Sequence, residues 1–264
     1  MQWISFATAS VNITIAAMFF GGWVMTKHRM LLGYALSYAF YTVGFACFAI
    51  QHLNPLIVHF GNGALIVGTM VLAYALAQRS RWQLDGFSCL IISGLGVSAI
   101  LLGVSLGSPQ VGYVGVYGSL GLTTLMAARA GHGARPGDIL EKTVVWTLYA
   151  VAAIMLSNPR FLNGFMPDMV PFEFAEGSWA FYATVWIIMS QLLAGSLIAL
   201  AMRDVIQRAQ KEAVIDPLSG LLNRRGFNAA LNRDHRKGDR AALVMVDIDH
   251  FKAINDQLGH DVGD

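Results

Sequence analysis

The chain has 264 residues, of which 55% are hydrophobic and only 13% are charged, so its composition is too apolar for an ordinary soluble protein. Residues 1–201 contain eight basic residues (Lys and Arg) and six acidic residues (Asp and Glu). The shorter segment 202–264 contains ten basic and ten acidic residues. Neither part has the basic excess typical of nucleic-acid-binding proteins, so no nucleic-acid partner is expected. We predict an all-α membrane region over 1–201, followed by the start of a water-soluble domain.

Seven apolar runs are long enough to cross a bilayer as helices, which requires about 20 residues each. They are Trp3–Met25, Met30–Ile50, Leu56–Ala77, Phe87–Leu106, Val111–Ala128, Ile139–Ser157 and Trp179–Ala201. The sixth run has Glu141 and Lys142 near its start, and both side chains can reach the nearer interface. The first run has no basic segment before it and is too long for a signal peptide, so we predict that it remains in the protein.

The distribution of Lys and Arg predicts the orientation of these helices. Alternate connections and the segment after the last run contain Lys and Arg. In the connections on the opposite side, Arg160 is the only Lys or Arg. The basic positions are Lys27, Arg29, Arg79, Arg81, Arg129, Arg135, Arg203, Arg208 and Lys211. We therefore expect the N-terminus outside the cell and the C-terminus in the cytoplasm. The longest outside connection, Asn158–Ser178, is too short for a folded domain.

Polar residues within the apolar runs are candidates for function, because polar groups are costly in a bilayer. They are Asn12, His59, Asn62 and Gln191. His59 and Asn62 share a helical face and could bind a ligand or, with His52, a metal ion. We favour the alternative, an interhelical hydrogen bond that stabilises the bundle. Cys47 and Cys89 lie in separate runs without a metal-ligand spacing and are interpreted as packing residues.

The seventh helix is predicted to continue into the cytoplasm, because residues 202–215 contain no Gly or Pro. The apolar positions of this linker are spaced as in a short coiled coil. They are Met202, Ile206, Ala209 and Ala213. The linker is therefore either an ordinary amphipathic helix or a parallel two-stranded stalk. Asp216-Pro217 ends it, and Asn223 is a favourable N-cap for a polar helix that extends to about Arg236.

A possible phosphate and metal site follows this helix. Residues 241–248 predict a short buried strand, and residues 251–258 predict a helix. Asp247 and Asp249 stand at the end of the strand, with Lys252 at the start of the helix. Carboxylates and a lysine in this arrangement can hold a divalent cation against phosphates. The alternative is that the carboxylates only cap the helix.

Three blocks of this segment together resemble the GGDEF family of diguanylate cyclases. They are Asp-Pro-Leu-Ser-Gly-Leu-Leu-Asn-Arg-Arg at 216–225, Val-Asp-Ile-Asp-His-Phe-Lys-Ala-Ile-Asn-Asp at 246–256 and Gly-His-Asp-Val-Gly-Asp at 259–264. Ser219 stands where the family usually has Thr. The family's Gly-Gly-Asp/Glu-Glu-Phe turn does not occur among the 264 residues. We therefore expect a longer reading frame and no activity from residues 1–264 alone.

The resemblance implies a palm-like α/β domain, similar to nucleotidyl cyclases, of which 216–264 would be the first part. By position, Asp247 resembles the catalytic, metal-binding carboxylate, and the carbonyl of Ile248 would be a further ligand for Mg²⁺ or Mn²⁺. The backbone N–H groups of His250 and Phe251 and the ammonium of Lys252 would contact the triphosphate of GTP.

Two further residues resemble the pair that recognises guanine in this family. Asn255 would offer a donor and an acceptor, and Asp264 would accept hydrogen bonds from the base. Adenine lacks those donors and would leave the carboxylate unpaired. The resemblance implies structural roles for five other residues, namely Asp216, Asn223, Arg225, Asp249 and His260.

The complete protein is accordingly expected to be a membrane-bound diguanylate cyclase of the bacterial inner membrane. It would act as a homodimer, because each domain holds one GTP and two must meet. One alternative is a seven-helix receptor whose GGDEF domain is inactive and only binds GTP or a partner. Another is a bifunctional protein with a following phosphodiesterase domain. A transporter is disfavoured, because no line of charged residues crosses the membrane region.

Overall fold

The structure is a computed structural model. It describes residues 2–78, 83–134, 137–212, 214–216, 218–234, 244–247 and 249. The chain divides into two compact units, Met1–Arg203 and Asp204–Asp264. The predicted site residues beyond Asp249, and Ile248, therefore lie outside the described part of the chain.

The first unit is built of helices joined by short connections. α1 spans Gln2–Thr26, α2 Arg29–Ala49, α3 Ile57–Ala77, α4 Gly86–Leu106, α5 Pro109–Gly133 and α6 Ile139–Leu156. Two short helices follow, α7 (Pro159–Phe165) and α8 (Phe172–Gly177), and then the long helix α9 (Trp179–Glu212), of which the part up to Arg203 belongs to this unit. Among the described residues, seven helices are long and apolar enough to cross a membrane. The prediction of seven such helices is confirmed.

The helix ends differ from the predicted ends where a charged residue was taken as a boundary. α5 continues beyond Ala128 to Gly133, because Arg129 favours helix as well as any unbranched residue does. α4 begins directly after Asp85, whose carboxylate accepts hydrogen bonds from the backbone N–H groups of Phe87 and Ser88. Capping by Asp85 thus fixes this helix start, which lies one residue before the predicted one.

Small residues bring α4 and α5 close together. A Cβ atom at Gly115 would lie 2.6 Å from the Cβ of Ala99 and 2.7 Å from the carbonyl oxygen of Gly96. A Cβ at Gly103 would lie 2.8 Å from the backbone nitrogen of Gly112. The two helices therefore touch through their backbones, which is the close approach that small residues permit between membrane helices.

Aromatic side chains join α2 to α9. The Tyr38 hydroxyl donates a hydrogen bond of 3.0 Å to the carbonyl of Ser190, and Tyr38 is fully buried. The ring of Trp186 is stacked on Phe45 at 5.0 Å and meets Tyr41 edge-on at 5.9 Å. These contacts join α9 to α2 through Trp186 and Ser190, which lie about one helical turn apart on α9.

The opposite end of α9 in this unit is held by an ion pair. The Arg203 guanidinium pairs with Asp138, and its Nη2 lies 3.4 Å from Oε1 of Glu141. Asp138 also caps α6 by accepting from the N–H of Glu141, while Oε2 of Glu141 accepts from the N–H of Gly137. This reciprocal capping fixes the start of α6 and orients both carboxylates toward α9.

The second unit contains α10, Arg224–Asp234, which agrees with the helix expected to extend from Asn223 to about Arg236. The buried strand predicted over 241–248 is not found in its described portion. Residues 244–247 lie outside any strand, and Val244, Met245 and Val246 are 80–88% exposed. A strand needs a hydrogen-bonding partner and a covering layer, and the described residues of this unit provide neither, so the α/β fold remains a prediction.

Candidate functional site

The first block of the GGDEF-like sequence forms a compact loop, which we call the Asp216 loop and define as residues 214–223. The N–H of Asp216 donates to the carbonyl of Leu221 at 2.7 Å, and the N–H of Asn223 donates to that of Val214 at 2.9 Å. Gly220, at the tip, has a φ of +69°, which glycine adopts without strain. The loop therefore folds back on itself and returns the chain to the start of α10.

The Asp216 carboxylate organises the tip of this loop. Its Oδ1 accepts hydrogen bonds from the N–H groups of Leu218 and Ser219 and from the Ser219 hydroxyl, at 2.9–3.1 Å. These bonds to the ionised form, first among them the one from the Ser219 N–H, lower the pKa of Asp216 from its ordinary value. Ser219, where the family usually has Thr, provides the same hydroxyl donor.

Asn223 connects the loop to α10. Its Oδ1 accepts hydrogen bonds from the N–H of Arg225 at 3.0 Å and from that of Gly226 at 2.9 Å, which is the geometry of an N-cap. A Cβ at Gly226 would collide with the Val214 carbonyl oxygen. The structure thus gives Asp216 and Asn223 structural roles, as expected, and adds Gly226, whose importance the sequence alone did not reveal.

The residues expected to bind metal and GTP are described only in part. Asp247 is described and exposed, as is Asp249. Ile248, His250, Phe251, Lys252, Asn255, His260 and Asp264 lie outside the described residues. Among the described residues, no group of three His, Cys, Asp or Glu side chains is arranged to hold a metal ion. The assignments to metal, triphosphate and guanine therefore stay predictions.

His59 and Asn62, the polar candidates of the third run, line a cavity. The cavity has a volume of about 620 Å³ and lies in the first unit. The interhelical hydrogen bond expected at these two residues stays a prediction.

This cavity, which we call the Arg160 cavity, lies where α7 meets the other helices. The Cζ atom of Arg160 lies 4.9 Å from the ring centroid of Tyr113, and both residues line the cavity. Tyr182 of α9 also lines it and donates a hydrogen bond of 3.1 Å to the carbonyl of Ser157. Trp186, one turn further along α9, completes this wall.

The short helices α7 and α8 shape this end of the bundle and were missed in the sequence, which we interpreted as a loop. Asn158 caps α7 by accepting from the N–H of Arg160 at 3.0 Å, and Pro159 occupies the first turn. The Asn163 amide donates to the carbonyl of Val170 at 2.7 Å and ties the connection to α7. An N-cap followed by proline is a recognisable helix start, so this signal was present in the sequence.

One family model and several known relatives match part of this chain. Residues 213–264 match the family model described as the GGDEF domain of diguanylate cyclases. The chain is 43% identical over 75 residues to "Diguanylate cyclase VdcA" of Vibrio cholerae and 33% identical over 109 residues to "Diguanylate cyclase DgcP" of Pseudomonas aeruginosa. It is also 42% identical over 62 residues to "Probable diguanylate cyclase DgcC" of Escherichia coli. No solved structure gives a significant match.

These matches cover a limited part of each protein. They include 28%, 39% and 22% of this chain, and the chain spans 22%, 16% and 17% of the three relatives in the same order. The resemblance seen in the three sequence blocks is confirmed at the level of the domain. This chain therefore carries GGDEF-domain sequence at residues 213–264, after seven helices that are long and apolar enough to cross a membrane.

Proposed function

We propose that the chain is part of a membrane-bound diguanylate cyclase, which joins two GTP molecules into cyclic di-GMP and releases two pyrophosphates. The match of residues 213–264 to the GGDEF domain carries the proposal. Relatives whose names describe them as diguanylate cyclases support it. The ordered Asp216 loop also supports it, because the first block of the family's pattern here forms a defined structure.

The proposed chemistry centres on Asp247. Its carboxylate is exposed, and hard oxygen ligands of this kind suit Mg²⁺ or Mn²⁺. Asp247 and the carbonyl of Ile248 would hold the metal, which when bound favours ionisation of the attacking 3′-hydroxyl and neutralises charge on the α-phosphate. Asn255 and Asp264 would orient the guanine base through hydrogen bonds.

Positive charge on the triphosphate side would come from one side chain. The ammonium of Lys252 would contact the phosphates, together with the backbone N–H groups of His250 and Phe251. These groups bind negative oxygens at the start of a helix, where N–H groups have no partner within the helix. Binding and orientation of GTP would thus be divided between a phosphate end and a guanine end.

The reaction requires two GTP molecules in opposite orientation, so we propose a homodimer. α9 is one continuous helix to Glu212, which supports a role for residues 202–212 in bringing two copies together. Its extension has apolar residues at Met202 and Ile206, both more than half exposed. Two such helices could bury these side chains against each other as in a short coiled coil.

The proposed location is the bacterial inner membrane, with the GGDEF region in the cytoplasm. Many large apolar side chains on the long helices are exposed in the structure, which in water would be unfavourable. Examples are Phe6, Phe87, Leu95, Leu101, Trp146 and Phe181. In the sequence, basic residues occur in alternate connections between the apolar runs and after the seventh run, which supports a cytoplasmic exit.

Substitution of Asp247 in the full-length gene product tests the proposal. Asp247→Asn keeps the shape of the side chain and removes its charge, so cyclic di-GMP synthesis from GTP and Mg²⁺ should be lost while the fold remains. Asp249→Asn is the matched control and should retain synthesis. Asn255→Ala should mainly weaken GTP binding, by about 1–3 kcal/mol, and reduce discrimination against ATP.

The readouts are pyrophosphate release and cyclic dinucleotide formation by the purified protein. Near-normal turnover by Asp247→Asn would contradict the proposal that Asp247 binds the metal ion. No synthesis by the unsubstituted full-length protein, with GTP still bound, would instead favour the receptor with an inactive GGDEF domain.

A further inference from the structure

We propose that the Arg160 cavity is a binding site for an organic anion, with the anionic group at Arg160 and an apolar body among the aromatic rings. The cavity volume of about 620 Å³ lies within the range of roughly 300–1,000 Å³ that small-molecule sites occupy. The inference concerns the first unit and does not depend on the cyclase activity proposed above.

The charge of the lining selects an anion. Arg160 is the only residue with a permanent charge among the described residues that line the cavity, and no Asp or Glu is among them. The Cζ atom of its guanidinium lies over the Tyr113 ring, 4.9 Å from the ring centroid. Its N–H donors lie in the plane of the guanidinium, which suits a carboxylate or a phosphate approaching edge-on.

Much of the remaining lining is apolar and aromatic. Phe45 and Trp186 are stacked with an interplanar angle of 25°, and Phe45 meets Phe48 edge-on at 5.7 Å. Leu65 and Ile100 contribute aliphatic surface to the same cavity. An apolar ligand body buried here would gain about 25 cal/mol for each Å² of surface removed from water.

Neutral polar groups also line the cavity. Asn62 and His59 of α3 and Gln51 before it line the cavity and offer hydrogen-bond donors and acceptors. A few polar groups within an apolar pocket are the usual source of ligand orientation and specificity. The metal site considered from the sequence is disfavoured, because the described residues contain no cluster of three suitable ligands.

Two kinds of ligand combine an anionic group with an apolar body. One is a dissolved organic acid, and the other is an anionic lipid with its headgroup and the first part of its chains in the cavity. Binding is therefore measured on the 264-residue chain in nanodiscs of two lipid compositions. In phosphatidylcholine nanodiscs, isothermal titration calorimetry compares the binding of 2-naphthoate, 2-naphthylmethanol and 2-naphthylmethylammonium. These compounds share an apolar ring and differ in charge, so the comparison shows how far binding depends on the negative charge. Empty nanodiscs correct for partition into lipid. In phosphatidylglycerol nanodiscs, native mass spectrometry detects retained lipid.

Two kinds of variant test the location. Arg160→Gln should weaken 2-naphthoate binding at least about tenfold, because a charge-assisted hydrogen bond is lost, whereas Arg160→Lys should retain most of it. Gly112→Leu should abolish binding by filling the cavity, since Gly112 lines it and a Cβ there meets no atom within 4 Å. The matched control is Gly94→Leu on α4, where a Cβ also meets no atom within 4 Å and which does not line the cavity.

Saturable binding of 2-naphthoate alone, with the expected variant pattern, supports a dissolved acid. Retained phosphatidylglycerol that is lost in Arg160→Gln and Gly112→Leu supports a lipid headgroup. The proposal is overturned if the three naphthyl compounds bind equally, or if Arg160→Gln and Gly112→Leu both bind as the unsubstituted chain does. It is also overturned if neither 2-naphthoate nor phosphatidylglycerol binds.

Discussion

The contact between α4 and α5 makes Gly115 a sensitive position. In Gly115→Ala, the new Cβ would lie 2.6 Å from the Cβ of Ala99 and 2.7 Å from the Gly96 carbonyl oxygen. Ordinary contacts of a Cβ begin at 3.4 Å. The second neighbour is backbone and cannot rotate away, so the two helices must separate by several tenths of an ångström.

The expected change in the stability of Gly115→Ala results from two opposing effects. Overpacking of a close contact costs about 1–3 kcal/mol, whereas replacing Gly by Ala within a helix gains up to about 1 kcal/mol. Gly94→Ala on α4 isolates the second effect, because a Cβ there meets no atom within 4 Å. The stabilities of the two variants should therefore differ by about 1–3 kcal/mol, with Gly115→Ala the less stable.

The measurement is unfolding of the full chain in mixed micelles by increasing SDS, followed by circular dichroism. Gly115→Ala should unfold at a lower SDS fraction than the unsubstituted chain, and Gly94→Ala at an equal or higher one. If Gly115→Ala were as stable as Gly94→Ala, the backbone contact between α4 and α5 would not hold in the protein.

Two further predictions concern the Asp216 loop and the orientation of the bundle. Because hydrogen bonds lower the pKa of Asp216, the stability it gives the loop should be complete above its ordinary value of 3.8 and be lost as the pH falls through the lower folded value. An NMR titration of residues 214–223 should give a midpoint below 3.8, absent in Asp216→Asn; a midpoint at or above 3.8 would contradict the bonding pattern. Reporter fusions after Ala201 should behave as cytoplasmic and those after Asn158 as periplasmic, and the reverse result would refute the orientation inferred from charge.

The long helices could be predicted because length and apolar composition decide them almost alone. Each predicted run corresponds to one long helix of the structure, even though Glu141 and Lys142 weakened the sixth. The carboxylate of Glu141 is tolerated because it pairs with Arg203 and bonds the N–H of Gly137. A local charge count cannot reveal such a partner, which lies 62 residues further along the chain.

The candidate sites could be predicted to different extents. Structural roles for Asp216 and Asn223 could be predicted, because Asp and Asn have strong local preferences for turns and N-caps. The role of Gly226 and the Arg160 cavity depend on distances between segments far apart in sequence. His59 illustrates the limit of prediction from sequence. Its position on one helical face with Asn62 could be predicted, but the cavity that both residues line could not.

Within the first unit, α9 connects the Arg160 cavity to the ion pair of Arg203 through one continuous helix. About 25 Å separates Trp186, in the wall of the Arg160 cavity, from Arg203, at a rise of about 1.5 Å per residue. A helix tilted by about 5° at the cavity would move Arg203 sideways by about 2 Å over that length. To keep both Asp138 and Glu141 as partners after such a displacement, the Arg203 side chain would have to change its conformation. The pairing at one end of this helix therefore reports its inclination at the other.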